Sequence, residues 1–283
     1  KEKMSKISLQ DLLKKVDDLP ALPWVVKRVM ELTEDPDSTA RDINEVINQD
    51  QSMTAKVLRL ANSAFYGFPR RISTVTDATI MLGFQTIRSI VIAASVSKLL
   101  SKEVEGYALL PGELWKHSQS AAMAARMIAR KVKFPKTEVA YTAALLHDIG
   151  KVVLNSYMRE TYEEVIDKVE QEKIPFSQAE EAILGFNHAL VGSKVAENWN
   201  LPPELVEAIA FHHSPELAKT DPVLTSIVHV ADFVCVTMGI GIGADGLLYP
   251  LSPQAVNLLG LGEQDIYQII SQLSDLLVDQ DSF

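Results

Sequence analysis

The chain holds six histidines: His117, His147, His188, His212, His213 and His229. Five of them form an ordered set with two aspartates: His117, the doublet His147-Asp148, His188, the pair His212-His213, and Asp232. Neutral imidazoles mixed with carboxylates suit Zn, Fe or Mn. A carboxylate between two cations can bridge them, and Asp148, beside His147 at a helix end, is placed to do so. Two ions about 3.5–4 Å apart can acidify a bound water and clamp a phosphoryl group. The expected cofactor is therefore a divalent transition metal, as two ions, with iron or manganese preferred over zinc. Its ligands are His117, His147, Asp148, His188, His212, His213 and Asp232. Lys151 follows Asp148 by three residues, on the same helical face or just past it. There it could hold a substrate phosphate as a point charge. Asp148 and Lys151 are the candidate catalytic residues, and Gly150 would keep the approach open.

Each of these residues also has a structural reading. His117 begins an Ala-rich helix and could be a surface or lobe-contact residue. His188 could simply open the helix that continues through Val191 and Val195. His212-His213 could close a helix, where histidine is favourable against the dipole. Asp232 is the hardest to explain this way, because a carboxylate in so apolar a helix must be paired or bound. His229 lies one turn before Asp232 and reads as a support that orients it, outside the ligand set. Cys235 reads as small core packing. The stretch Gly239-Ile240-Gly241-Ile242-Gly243 lacks the strand-turn-helix setting of a phosphate loop and reads as a flexible connector.

The elements that must position these residues are helical nearly throughout. Ser8 with Asp11 resembles a capping box ahead of Leu12, Leu13 and Val16. Pro23 suits the first turn of a helix carrying Val25, Val26 and Val29. Ser38 or Thr39 can cap the next helix, and Phe65 to Arg71 forms a loop punctuated by Gly67 and Pro69. Lys102 to Gly112 reads as a connector. Beyond it the periodicity predicts helices near 113–131, 137–156, 160–172, 188–199, 203–212, 222–238, 253–258 and 263–278. No stretch alternates with the period of a strand. The expected fold is all-α and two-lobed: an N-terminal lobe over 1–105, a metal-binding lobe over 106–245, and a helical extension over 246–283.

Composition narrows the partners. Lys and Arg number 27 against 37 Asp and Glu, a net charge of −10, so a polyanionic nucleic acid is repelled on average and none is expected. The single Cys235 rules out an intramolecular disulfide and fits a reducing cytoplasm, the expected location. Thr225 to Ala244 is long and apolar enough to raise the question of a membrane span. His229 and Asp232 inside it favour a buried helix, and no membrane partner is expected.

With these residues in view, the chain resembles the HDOD family, a branch of the HD metal-dependent phosphohydrolase superfamily found in bacterial signalling proteins. The resemblance spans roughly residues 15–215. It rests on Leu19-Pro20-Ala21-Leu22-Pro23, on Asp50, and on the run from Thr54 to Gly67, followed by Ile72, Ala78, Leu82-Gly83 and Arg88. It implies an all-helical, two-lobed HDOD/HD-domain fold. Many HDOD proteins have lost the ligands and act as interaction modules. This chain instead matches the ligand pattern of HD-GYP relatives, which hydrolyse cyclic di-GMP. After His213 comes Ser214-Pro215-Glu216, with no Gly-Tyr-Pro motif, so that substrate does not carry over.

The first functional reading is a signalling module with a protein partner and an intact two-metal site. The second is a metal-dependent phosphohydrolase acting on a phosphodiester, phosphomonoester or nucleotide, with a phosphate-containing small molecule as ligand. A di-iron oxygenase is the third. In the N-terminal lobe, Arg59, Asn62 and Tyr66 either bind a ligand or cap their helix and pin the lobes.

Overall fold

A computed structural model describes residues 8–68, 70–243, 246 and 248–281; Pro69 and Ala244, named above, lie outside them. Among the described residues the chain is helical, with one isolated bridge between Val104 and Leu109 and no strand. The first half contains α1 (Leu9–Asp17), α2 (Trp24–Glu34), α3 (Ala40–Ile47), α4 (Gln51–Ala61), α5 (Val75–Leu82), α6 (Phe84–Leu100) and α7 (Glu113–Lys131). The second contains α8 (Thr137–Leu146), α9 (Gly150–Glu172), α10 (Phe176–Leu184), α11 (His188–Asn198) and α12 (Pro203–Phe211). The chain closes with α13 (Pro222–Thr237), α14 (Pro253–Leu259) and α15 (Glu263–Asp281).

Many helix starts are set by side chains that accept the otherwise unpaired amides of a first turn. Ser8 takes the Asp11 amide, Asp50 that of Met53, and Asn187 that of Leu190. Thr39 and Asp42 form a reciprocal capping box at α3. Pro23 stands just before α2 rather than in its first turn.

Two compact units emerge. Residues 22–98 and 271–283 form one. In it α3 packs on α2, α4 and α5. Asn62, at the end of α4, donates to the Leu58 and Ile72 carbonyls, at 2.8 Å each. Its Oδ1 accepts the Ile72 amide at 2.7 Å, which ties the following loop back to the helix.

The other unit comprises residues 1–21 and 99–270, so α1 groups with the histidine-bearing helices. Here α7 packs on α8 and α13, while α12 touches α8, α11 and α13. A buried ion pair joins α7 to α8: Arg126 Nη2 lies 2.5 Å from Glu138 Oε2, and the guanidinium sits 4.2 Å from the centre of the Tyr141 ring. That arrangement holds together the two helices that deliver His117 and His147.

The structure departs from the periodicity in two places. The helix expected over 137–156 breaks at His147 to Ile149, and its second half runs on without interruption to Glu172. At the start of α9 the two backbones approach closely: a Cβ on Gly150 would stand 2.0 Å from the His188 carbonyl oxygen and 2.6 Å from the Gly192 amide nitrogen, so only glycine fits there against α11. Gly150 thus serves helix contact, not an open approach to the site. Helix α10 was not anticipated: Glu180-Glu181 interrupts its apolar stripe of Phe176, Ala179 and Leu184.

No helix among the described residues is long and apolar enough to cross a membrane. The segment containing Asp232 is the buried helix α13.

Glu207 on α12 holds the turn that starts α13. Its carboxylate accepts the amides of Lys219, Thr220 and Asp221 at 2.7–2.8 Å. Burial acts to raise its pKa, but these amide bonds together bring it below the ordinary glutamate value. A depressed folded pKa stabilises the protein above the unfolded pKa and is lost as pH falls through the folded one. Glu207→Gln is therefore expected to cost about 2 kcal/mol at pH 7. In urea unfolding at pH 7 and again in acid, the gap to wild type should close as pH falls through the lowered folded pKa, where the wild-type carboxyl also becomes neutral. An equal gap at both pH values would contradict this role.

Candidate metal centre

Helix ends build the site. His147 and His212 are the C-caps of α8 and α12, and His188 is the first residue of α11. His117 lies one turn into α7, and Asp232 lies in α13. His117, His147, Asp148, His188, His212 and Asp232 are all buried, and His213 is half-buried. Donor atoms within 4.8 Å of one another form three groups: His117, His147 and Asp148; His188, His212 and His213; and His147, His212 and Asp232. All seven expected ligands thus fall in one cluster.

The rings are oriented from behind. His117 Nδ1 donates to the Ile240 carbonyl at 2.9 Å. His147 Nδ1 donates to the Ala144 carbonyl at 2.6 Å, and His212 Nδ1 to the Ile209 carbonyl at 2.7 Å. Both are acceptors left open in the last turn of a helix. His188 Nδ1 donates to Glu180 Oε2 at 2.6 Å. A ring that donates through Nδ1 presents a lone pair at Nε2 when it is neutral.

These four Nε2 atoms face Asp148 from two sides. His117 and His147 lie 3.5 and 3.4 Å from Oδ2. His188 and His212 lie 3.4 and 3.8 Å from Oδ1. Asp232 Oδ1 joins the first side, 3.0 Å from His117 Nε2 and 3.5 Å from His147 Nε2. His213 joins the second, its Nε2 2.8 Å from that of His188. Two ligands each about 2.1 Å from one ion stand about 3.0–3.5 Å apart, close to these separations. The Nε2 atoms of His147 and His212 are buried and have no hydrogen-bond partner. Buried nitrogens of this kind call for a proton acceptor or a cation, so the donor set fits metal binding, with Asp148 standing between its two sides.

Charge inside the cluster is divided unevenly. For Asp148, burial opposes ionisation, but His147, Lys151 and His188 together hold it well below the usual carboxylate range. Burial likewise opposes ionisation of Asp232, and His147 and His117 overcome it. Burial also opposes protonation of His147, yet the two aspartates push its pKa up to about 10. His188 is raised against burial by Glu180. Burial and the charges of His147 and His188 bring His212 down to about 3. Burial and its neighbours His212 and His188 hold His213 well below the imidazole value.

Other side chains complete the setting. Lys151 is buried, with Nζ 2.5 Å from Asp148 Oδ2. His229 does not bond Asp232. Its Nδ1 donates to the His212 carbonyl at 2.7 Å, and its Nε2 accepts the Ser252 amide at 2.9 Å, so it supports the backbone of a different member of the cluster. Cys235 is buried and free, with its thiol pKa raised well above the ordinary value by burial, and it is not among the clustered donors. The glycine-rich stretch also serves the site. Gly239 and Gly241 adopt positive φ, and between them Ile240 turns its carbonyl to His117, so the stretch read as a connector also supplies an acceptor to the site.

Sequence reasoning missed Glu180. It is fully buried, accepts both the ring and the backbone amide of His188, and takes the Tyr107 hydroxyl on its other oxygen. A signal was present: Glu180 lies four residues after Phe176 and four before Leu184, on the inward stripe. A carboxylate behind a ligating histidine fixes its tautomer and strengthens it as a donor. Glu180→Gln is expected to weaken metal binding about 10–100-fold, read by competition with a chromogenic chelator. Tyr107→Phe, which leaves the carboxylate in place, should cost less. Equal affinity in wild type and Glu180→Gln would remove Glu180 from the site.

A model of the HDOD domain family matches residues 19–215, which include six of the clustered residues and stop short of Asp232. The chain is similar to the crystal structure of an HDOD domain protein of unknown function from Geobacter sulfurreducens, at 28% identity, with 97% of each chain covered and a TM-score of 0.73. It is equally similar to a Shewanella amazonensis protein provisionally named a phosphohydrolase, at 28% identity, 95% coverage of each chain and a TM-score of 0.72. A Treponema pallidum protein without an assigned function is 24% identical over 200 residues; the match takes in 71% of this chain and 38% of that protein's length.

Proposed function

The chain belongs to the HDOD domain family, and we propose that it is a two-metal phosphohydrolase serving a bacterial signalling pathway. One observation carries this reading. Four histidine Nε2 atoms converge on the two oxygens of Asp148, and two of those nitrogens are buried without a hydrogen-bond partner. The provisional phosphohydrolase name of the Shewanella relative points the same way.

His117, His147 and Asp232 would hold one ion, and His188, His212 and His213 the other, with Asp148 shared. Such a pair, when bound, polarises a phosphoryl oxygen and acidifies a water. Five imidazoles and two carboxylates, shared between two ions with positions left for water and substrate, suit the higher coordination of iron or manganese better than closed tetrahedral zinc. Asp148 keeps the two sides in register. Lys151, fixed beside Asp148, would add its positive charge to that of the centre on which a phosphoryl group would settle. Glu180 and Tyr107 hold the His188 ring against rotation.

A second reading is supported by the same lysine. Lys151 already neutralises Asp148, so the cluster can stand as a structural or sensing element of a signalling module that works through a protein partner.

Metal analysis separates the two. Protein purified after growth with added iron or manganese is expected to carry about two equivalents of transition metal and to hydrolyse phosphoesters. Asp148→Ala should lose both metal and activity while its far-ultraviolet circular dichroism stays unchanged. Less than about half an equivalent in the wild type would overturn the hydrolase reading. Unfolding of Asp148→Ala would favour the structural one.

A further inference from the structure

Next to the cluster lies a cleft of about 350 Å³, with His188 and His213 in its lining. That is the size of a site for one small molecule. It is the natural approach to the His188 side of the centre, because His213 in its lining is half-buried and the other members of the cluster are buried. Phe176 and Tyr249 contribute apolar surface, and the Tyr249 ring stands 5.3 Å from that of His213. The charged residues in the lining are Glu181 and Glu216, and among the described residues that line it there is no lysine or arginine. Asn187, which caps the helix beginning at His188, donates to Glu181 Oε2 at 3.3 Å. The cation nearest the chemistry, Lys151, is buried behind Asp148.

A ligand's reacting phosphoryl group can therefore find positive charge only at the centre itself. The rest of the ligand meets carboxylates and aromatic surface. A second phosphate would enter a cleft with no countercharge, and like charges brought together disfavour the wrong partner.

We propose that the cleft selects a small molecule with one phosphoryl group on an uncharged or cationic body, and that Glu181 and Glu216 exclude nucleoside polyphosphates and cyclic dinucleotides. The proposal rests on the phosphohydrolase reading and adds the substrate class to it.

A charge series on one scaffold tests it. Phenylphosphonate, 4-carboxyphenylphosphonate and 4-(aminomethyl)phenylphosphonate share shape and resist hydrolysis. Calorimetric titration into manganese-loaded wild type should give an order of aminomethyl, unsubstituted, then carboxy, with about tenfold weaker binding of the carboxy compound than of the unsubstituted one. Because both glutamates are exposed, the spread should narrow as salt is raised. The double variant Glu181→Gln/Glu216→Gln should flatten the series at low salt. Equal affinities across the series in wild type, with phosphonate binding intact, would overturn the specificity proposal alone. No binding of any phosphonate or of inorganic phosphate to metal-loaded protein would overturn the phosphohydrolase reading with it.

Discussion

The site depends on where four imidazoles put their second nitrogen. Each Nδ1 is spent on a fixed acceptor: the carbonyls of Ile240, Ala144 and Ile209, and the carboxylate of Glu180. That choice sets the tautomer of each ring when it is neutral and turns the Nε2 atoms inward. Without it, five histidines in one core would be a costly set of unsatisfied polar groups. With it, they become a donor set organised around Asp148. Much of the local architecture follows from supplying those acceptors. Two are free carbonyls in the last turns of α8 and α12, one belongs to a glycine-flanked turn after α13, and one is a buried side chain on α10.

The same constraint explains the packing. His147 and Asp148 must meet His188, so α9 and α11 approach until only a glycine fits at position 150. His117 must meet Asp232, so α7 lies along α13 and alongside α8, held to the latter by the Arg126–Glu138 pair. His229 spends both ring nitrogens on backbone, one at His212 and one at Ser252, which joins the end of α12 to the start of α14 through α13. Helical termini carry most of the clustered donors, His117 and Asp232 join them from within α7 and α13, and helix packing keeps them together.

The clustering of these histidines and aspartates was legible in the sequence because their residue types are rare and their order distinctive. The all-α architecture was legible because apolar residues recur with helical period. The supporting acceptors were harder to see. A backbone carbonyl has no sequence signature, so the role of Ile240 was hidden inside what reads as a flexible glycine run. Glu180 was masked because its helix is short and its neighbour Glu181 is exposed, which blurs the stripe. His229 was assigned to Asp232 by proximity along the helix, whereas its ring reaches backbone from other elements. In each case the missing information is three-dimensional: which atom of a known residue faces which neighbour.

The chain belongs to the HDOD family, and its buried donor cluster is the feature on which the proposed function rests. The central claim is that the cluster holds two ions bridged by Asp148. X-ray absorption spectroscopy of iron- or manganese-loaded protein addresses it most directly. The account predicts a shell of nitrogen and oxygen at about 2.0–2.2 Å and a second metal scatterer at about 3.5–4 Å. A spectrum with a sulfur shell, or with no metal–metal vector at full loading, would contradict it.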